Sequence, residues 1–174
     1  AVTDTNAIIL GASTISGTYD LTADGNVTDS GALVITGLTT LAAGSGDIAL
    51  DHPSNDFQGG LVIVSSGDVV LRDVGAIDLG AATVSGTYDV TAGGAITDSG
   101  TQEIAGVTTL AAGSGNDITL DTSTNNFAAA VAITSGRNVA ITDEDAIVLG
   151  AATVSGTYGI TAGGAITDNG TQEI

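Results

Sequence analysis

Self-similarity constrains this chain more than any other feature. The stretch GTYDLTADGNVTDSG at 17–31 returns as GTYDVTAGGAITDSG at 86–100 and as GTYGITAGGAITDNG at 156–170. The periods are 69 and 70 residues, and the difference lies at Asn116, which GSGNDITL carries and GSGDIAL lacks. The chain therefore reads as one continuous segment with large repeats at 1–69, 70–139 and, in part, 140–174. So long a period invites subdivision. An Asp recurs at Asp4, Asp29, Asp51, Asp73, Asp98, Asp121, Asp143 and Asp168, at spacings of 25, 22, 22, 25, 23, 22 and 25 residues. A small-residue column (Gly17, Gly37, Gly59, Gly86, Gly106, Ala129, Gly156) and an aliphatic column (Leu21, Leu41, Ile63, Val90, Leu110, Ile133, Ile160) keep the same phase. The implied unit is about 23 residues.

Each unit consists of short runs of Val, Ile, Thr and Leu broken by Gly, Asn, Asp and Ser, which is strand and turn chemistry. Glycine and β-branched residues at this density disfavour helix. A unit this small cannot bury an apolar face alone, but stacked copies can. The predicted fold is all-β, a right-handed parallel β-helix, since parallel crossovers are overwhelmingly right-handed. At about 23 residues per coil the chain would form about 7.5 coils, a rod of roughly 36 Å. A β-sandwich of antiparallel hairpins ranks lower, because sandwich domains repeat at about 100 residues.

Composition narrows the function. Two basic residues against 20 acidic ones give a net charge of −18, which excludes nucleic acid as a direct partner. Hydrophobic residues make up 43% and aromatic residues 3%, so the chain is no disordered acidic tail and its core is thin. Without cysteine there are neither disulfides nor thiolate metal sites. Apolar runs such as 61–64 are far too short for a membrane span. The sequence opens at Ala1 with no methionine and no basic leader, and reads as part of a longer product.

Phe57 and Phe127 lie in the contexts NDFQGGLVIV and NNFAAAVAIT, and AIDLGAATVSGTYDVTAGGAITDSG and GVTTLAAGSGNDITLD follow. With these motifs the whole chain resembles the repeat region of large bacterial surface exoproteins of the filamentous haemagglutinin type, exported by two-partner secretion or as autotransporter passengers. That resemblance implies secretion, a right-handed β-helix and a role in adhesion or surface structure. It supplies no catalytic residues.

Among candidate sites, the Asp series has the most chemical promise. Stacked carboxylates about 4.8 Å apart would repel, and Ca²⁺ bound along a ladder of Asp4, Asp29, Asp51, Asp73, Asp98, Asp121, Asp143 and Asp168 would relieve that. The competing reading is a set of solvated turn residues bonding their own backbone. AGSGNDITL around Asp117 only weakly resembles the calcium-binding nonapeptide of β-rolls. Tyr19, Tyr88 and Tyr158 recur once per large repeat, three coils apart, as exposed or half-buried residues open to carbohydrate; Phe57 and Phe127 fill a core corner. His52 is a turn residue beside Pro53, and Arg72 and Arg137 occupy non-equivalent places in the repeat. The Thr39–Thr40 and Thr108–Thr109 pairs are too sparse for an ice-ordering face, and the sequons at Asn26 and Asn169 are not repeated in the middle copy.

No privileged pocket is expected in a regular rod. A lyase would need cationic groups, of which the chain has almost none, the acids mark no unique pair for a hydrolase, and no helix follows the glycines to hold phosphate. The expected function is thus non-catalytic and without a resident cofactor: a rigid stalk, adhesin shaft or filament building block of a secreted, cell-surface repeat protein. The alternative is a calcium- or carbohydrate-binding module. Expected partners are flanking repeats or other copies stacked end to end, and a host or neighbouring-cell surface.

Overall fold

The computed structural model describes residues 1–174. The short β-branched runs form twenty-four strands and no helix. Each strand pairs in parallel with one a coil away, as a winding chain requires. Within strands burial alternates, as in Val69–Asp73, where Val69, Leu71 and Asp73 point inward. Gly, Ser and Asn make the corners. Gly37 is required by close approach: a Cβ there would lie 2.6 Å from the carbonyl carbon of Gly17 in the coil before. Gly44 and Gly113 take positive φ, +62° and +76°, in the GSG turns.

The architecture is the predicted parallel β-solenoid, with shorter and more numerous coils. Ile8, Val27, Ile48, Val69, Tyr88, Thr108, Val131, Leu149 and Asp168 are successive register partners. Eight steps thus cover Ile8 to Asp168, about 20 residues each, giving about nine coils. We number them by residues: coil 1, 2–15; coil 2, 19–35; coil 3, 39–57; coil 4, 61–73; coil 5, 77–92; coil 6, 96–111; coil 7, 118–136; coil 8, 139–154; coil 9, 158–173. At the strand spacing, nine coils make a rod of about 43 Å.

Every coil contributes one half to a first sheet and one to a second, and their inward side chains form a single core cluster of 37 buried residues. Some halves carry an additional short strand. In coils 1 to 3 these are Ser13–Ile15, Leu33–Ile35 and Asp56–Phe57, a third sheet following the second-sheet strands. In coils 5 to 7 their counterparts, 82–84, Gln102–Ile104 and Asn126–Phe127, are joined instead to the first sheet. The side of the coil that is lengthened has switched.

The switch explains why the coil is shorter than the Asp spacing implied. The large repeat is seven half-coils, not three whole coils. Tyr19 lies in the first sheet, Tyr88 in the second and Tyr158 in the first again. The 22- and 23-residue Asp intervals are one coil, whereas each 25-residue interval holds one and a half: Asp73 belongs to coil 4 and Asp98 to coil 6. The predicted aliphatic column is likewise true in pieces. Leu21, Leu41 and Ile63 stack, and so do Val90, Leu110 and Ile133. Between the pieces it breaks: Ile63 pairs with Ala82, and Val90 with Leu71.

Candidate functional site

The polar side chains concentrate at the coil corners, where the backbone leaves the sheets. The eight Asp residues of the series occupy three kinds of position there, so they form no ladder. The register partners of Asp4, Asp29, Asp73, Asp98, Asp143 and Asp168 are Ala23, Leu10, Ala92, Leu79, Ala162 and Leu149. Opposite these six Asp residues the register places Ala or Leu in place of a second carboxylate. No group of three or more His, Cys, Asp or Glu side chains gathers in a metal-holding arrangement.

Asp4, Asp73 and Asp143 close turns. Asp73 is 2% exposed; its Oδ1 accepts from the Gly75 N–H at 2.6 Å and its Oδ2 from the Phe57 N–H, one coil back, at 2.6 Å. Asp143 repeats this with the N–H groups of Asp145 and Phe127, both at 2.8 Å. Asp4 accepts from the Asn6 N–H at 2.8 Å. Burial pushes the Asp73 carboxyl above the usual range, its two N–H donors pull it partly back, and the nearby Asp56 charge adds to the rise. Asp51 and Asp121 are exposed turn residues.

Asp29 and Asp98 reach forward one coil to a residue that sequence reasoning missed. The Asn55 amide donates from Nδ2 to Asp29 Oδ2 at 2.6 Å, and its Oδ1 accepts the Leu33 N–H at 2.8 Å. Asn125 does the same with Asp98 at 2.6 Å and the Gln102 N–H at 2.9 Å. Both Asn residues are fully buried. Their own carbonyls accept the N–H groups of Val74 and Glu144 from the next coil, at 2.7 Å each. One Asn thus ties three coils together, and the Phe two residues on fills the corner beneath, 1% exposed as predicted. The signal was present: Asn precedes Phe by two in both NDF and NNF contexts.

A second column of Asp and Asn, also missed, does run in register. Asn26 accepts the Asp47 N–H at 3.0 Å, Asp47 the Asp68 N–H at 2.9 Å, and Asp68 the Thr87 N–H at 2.7 Å. The later copy runs from Asp117 through Asn138 to Thr157, at 3.1 Å for each step. Each side chain satisfies a corner N–H of the following coil, where sheet bonds end. Thr87 bonds hold Asp68 below the usual carboxylate range. Arg137, for which the sequence implied no partner, grips Asp117 through two N–H donors at 2.8 Å each and lowers its pKa to about 2.

Of the tyrosines, Tyr88 departs from expectation: it is 1% exposed, inside the core, and burial pushes its hydroxyl pKa up. Tyr19 and Tyr158 are half-buried, as expected. They recur on alternate sheets and offer no common carbohydrate platform. His52 accepts the Ser54 N–H on Nδ1 at 3.2 Å and shapes its turn. Two shallow grooves lie at equivalent places of successive repeats, flanked by Thr83 and Glu103 in one and Thr153 and Glu173 in the other. Neither brings a nucleophile to a base. What the corner geometry does chemically is hold coils in register.

A family model described as repeats of unknown function (DUF5649) matches residues 1–64, 66–134 and 136–174. No curated protein and no solved structure matches the chain.

Proposed function

The chain belongs to the DUF5649 family of repeats of unknown function, and from that premise we propose that it is a non-catalytic rod: a rigid shaft segment of a secreted bacterial surface protein. The observation carrying this reading is that conspicuous polar side chains inside the rod, Asn55, Asn125, Asp73 and Asp143, bond from one coil to another. Side chains spent on register are not aimed at a ligand. The high acidity favours a repetitive β-structure that stays dispersed, and the lack of cysteine suits a long chain that crosses a membrane unfolded.

The test is a pair of measurements on the intact chain. Small-angle scattering gives an elongated particle about 43 Å long, and the melting temperature is unchanged by millimolar Ca²⁺ or by soluble polysaccharides. A melting temperature that climbs with ligand concentration, as binding linkage requires, would replace the shaft with a binding module.

A further inference from the structure

We propose that the outer face of coil 9 is a docking surface for a further coil of the same repeat in the phase of residues 108–127, and that it discriminates against the phase of residues 2–15. This rests on the reading of the chain as a stacked rod. The face carries Asp168, Gln172, Tyr158, Ile160 and Ile166. Asp168 holds the place that Asp29 and Asp98 hold in coils 2 and 6, and both of those receive an Asn amide from the coil that follows. Gln172 holds the place of Gln102, whose N–H is taken by Asn125 Oδ1. The two glutamines are fixed alike: Gln102 Nε2 donates to the carbonyls of Gly80 and Gly100 at 2.7 and 2.8 Å, Gln172 Nε2 to those of Gly150 and Gly170 at 2.8 and 3.0 Å. The receiving surface is therefore organised before any coil lands on it. Its apolar part matches too: Ile96 and Tyr88, buried under Ile118 and Thr108, correspond to Ile166, 51% exposed, and the half-buried Tyr158.

A coil in the 108–127 phase brings a link at 121–125 that ends in the buried Asn. Coil 1 cannot. Its strands Ile8–Leu10 and Ser13–Ile15 are joined by Gly11 and Ala12 alone, and no Asn lies at that corner. Its counterparts Ile77–Val84 and Ile147–Val154 stack on Leu61–Ser66 and Ala130–Gly136, strands without any Asp. Placed on coil 9, coil 1 would half-bury the Asp168 carboxylate, as Asp29 and Asp98 are half-buried in the rod, bury the Gln172 N–H, and supply a partner to neither, which is unfavourable. The Asp–Asn pair thereby selects which coil can follow which.

The proposal is tested with two extended chains, one repeating residues 105–174 after Ile174 and one placing residues 1–70 there. Amide hydrogen exchange at Gln172 is expected to slow roughly 100-fold in the first and to stay near the parent rate in the second. Asn125→Ala in the appended copy of the first chain returns Gln172 to fast exchange. The parent is expected to sediment as a monomer. Equal protection of Gln172 in both extended chains, protection that survives the Asn→Ala change, or a parent that associates end to end would overturn the phase selection. If the outward-facing coil 9 amides at Tyr158 and Ile166, whose counterparts Tyr88 and Ile96 donate to the coil that follows, are nevertheless protected in the extended chains, the rod stands and only the selection fails. No added protection at Tyr158, Ile166 or Gln172 in the first chain would bring down both.

Discussion

Replacing Asn125 with Ala isolates the corner stitch. Asn125 is fully buried and makes two side-chain bonds, from Nδ2 to Asp98 and from the Gln102 N–H to Oδ1. Alanine leaves the Gln102 N–H buried without an acceptor, a loss of about 1–3 kcal/mol. It also removes from Asp98 a charge-assisted bond of about 1.5–3 kcal/mol. Asp98 keeps weaker contacts with the N–H groups of Asp121 and Thr122, at 3.1 and 3.3 Å, so the combined loss should be near 3–4 kcal/mol. Solenoids unfold in neighbouring units, so the loss is expected at the interface of coils 6 and 7 before the whole rod melts. The assay is a urea melt combined with amide exchange: Gln102 and Ala128, whose N–H crosses to the Ile104 carbonyl of coil 6, lose protection while Leu21 and Leu41 keep theirs. Ser123→Ala, on the exposed tip of the same link, should change stability by under about 0.5 kcal/mol. A loss below about 1 kcal/mol for Asn125→Ala, or unchanged exchange at Gln102, would show that the stitch does not hold the coils.

Three other outcomes follow from the corners and turns. Asp56→Asn copies the residue found at 126 and removes the charge beside buried Asp73. Because the Asp73 pKa is raised on folding, its ionisation weakens the fold as pH rises through that value; the variant should melt higher than the parent at pH 7 and equally at pH 3. Arg137→Ala should let the Asp117 pKa rise from about 2 toward the ordinary range, seen by NMR titration; since Asp117 is lowered on folding, what the pair contributes is present at neutral pH and is lost as pH falls below 4. This pair is exposed, so a large drop in melting temperature at pH 7 would contradict its placement. Gly37→Ala forces a Cβ against the Gly17 carbonyl and should cost about 1–3 kcal/mol in a urea melt, whereas Gly11→Ala, with open space around it, should be near neutral.

The solenoid was legible because stacking demands like residues in columns, and Leu21, Leu41 and Ile63 form such a column. Its coil length was not. By its spacing Asp reads as a once-per-coil landmark, yet coil 5 holds none of the series, and the half-coil hidden in each 25-residue interval disguises a 20-residue coil as a longer one. The corner Phe residues were found because a large ring in a core of small side chains has few places to go. Asn55 and Asn125 were overlooked for the opposite reason: Asn among Ser, Thr and Pro reads as solvated turn, and only the coil packed on either side shows it buried. The Tyr88 hydroxyl gave the same false impression of exposure, because the periodic pattern does not reveal which side of a strand is covered by its neighbours.

A repeat of seven half-coils turns its back on the one before it. Whatever one copy presents to the left, the next presents to the right, so features seen along a single side recur only every second copy, about 34 Å apart. Parity then becomes a property of the gene: excising one copy would swing everything downstream through half a revolution, while excising two would shorten the molecule and leave its aim untouched.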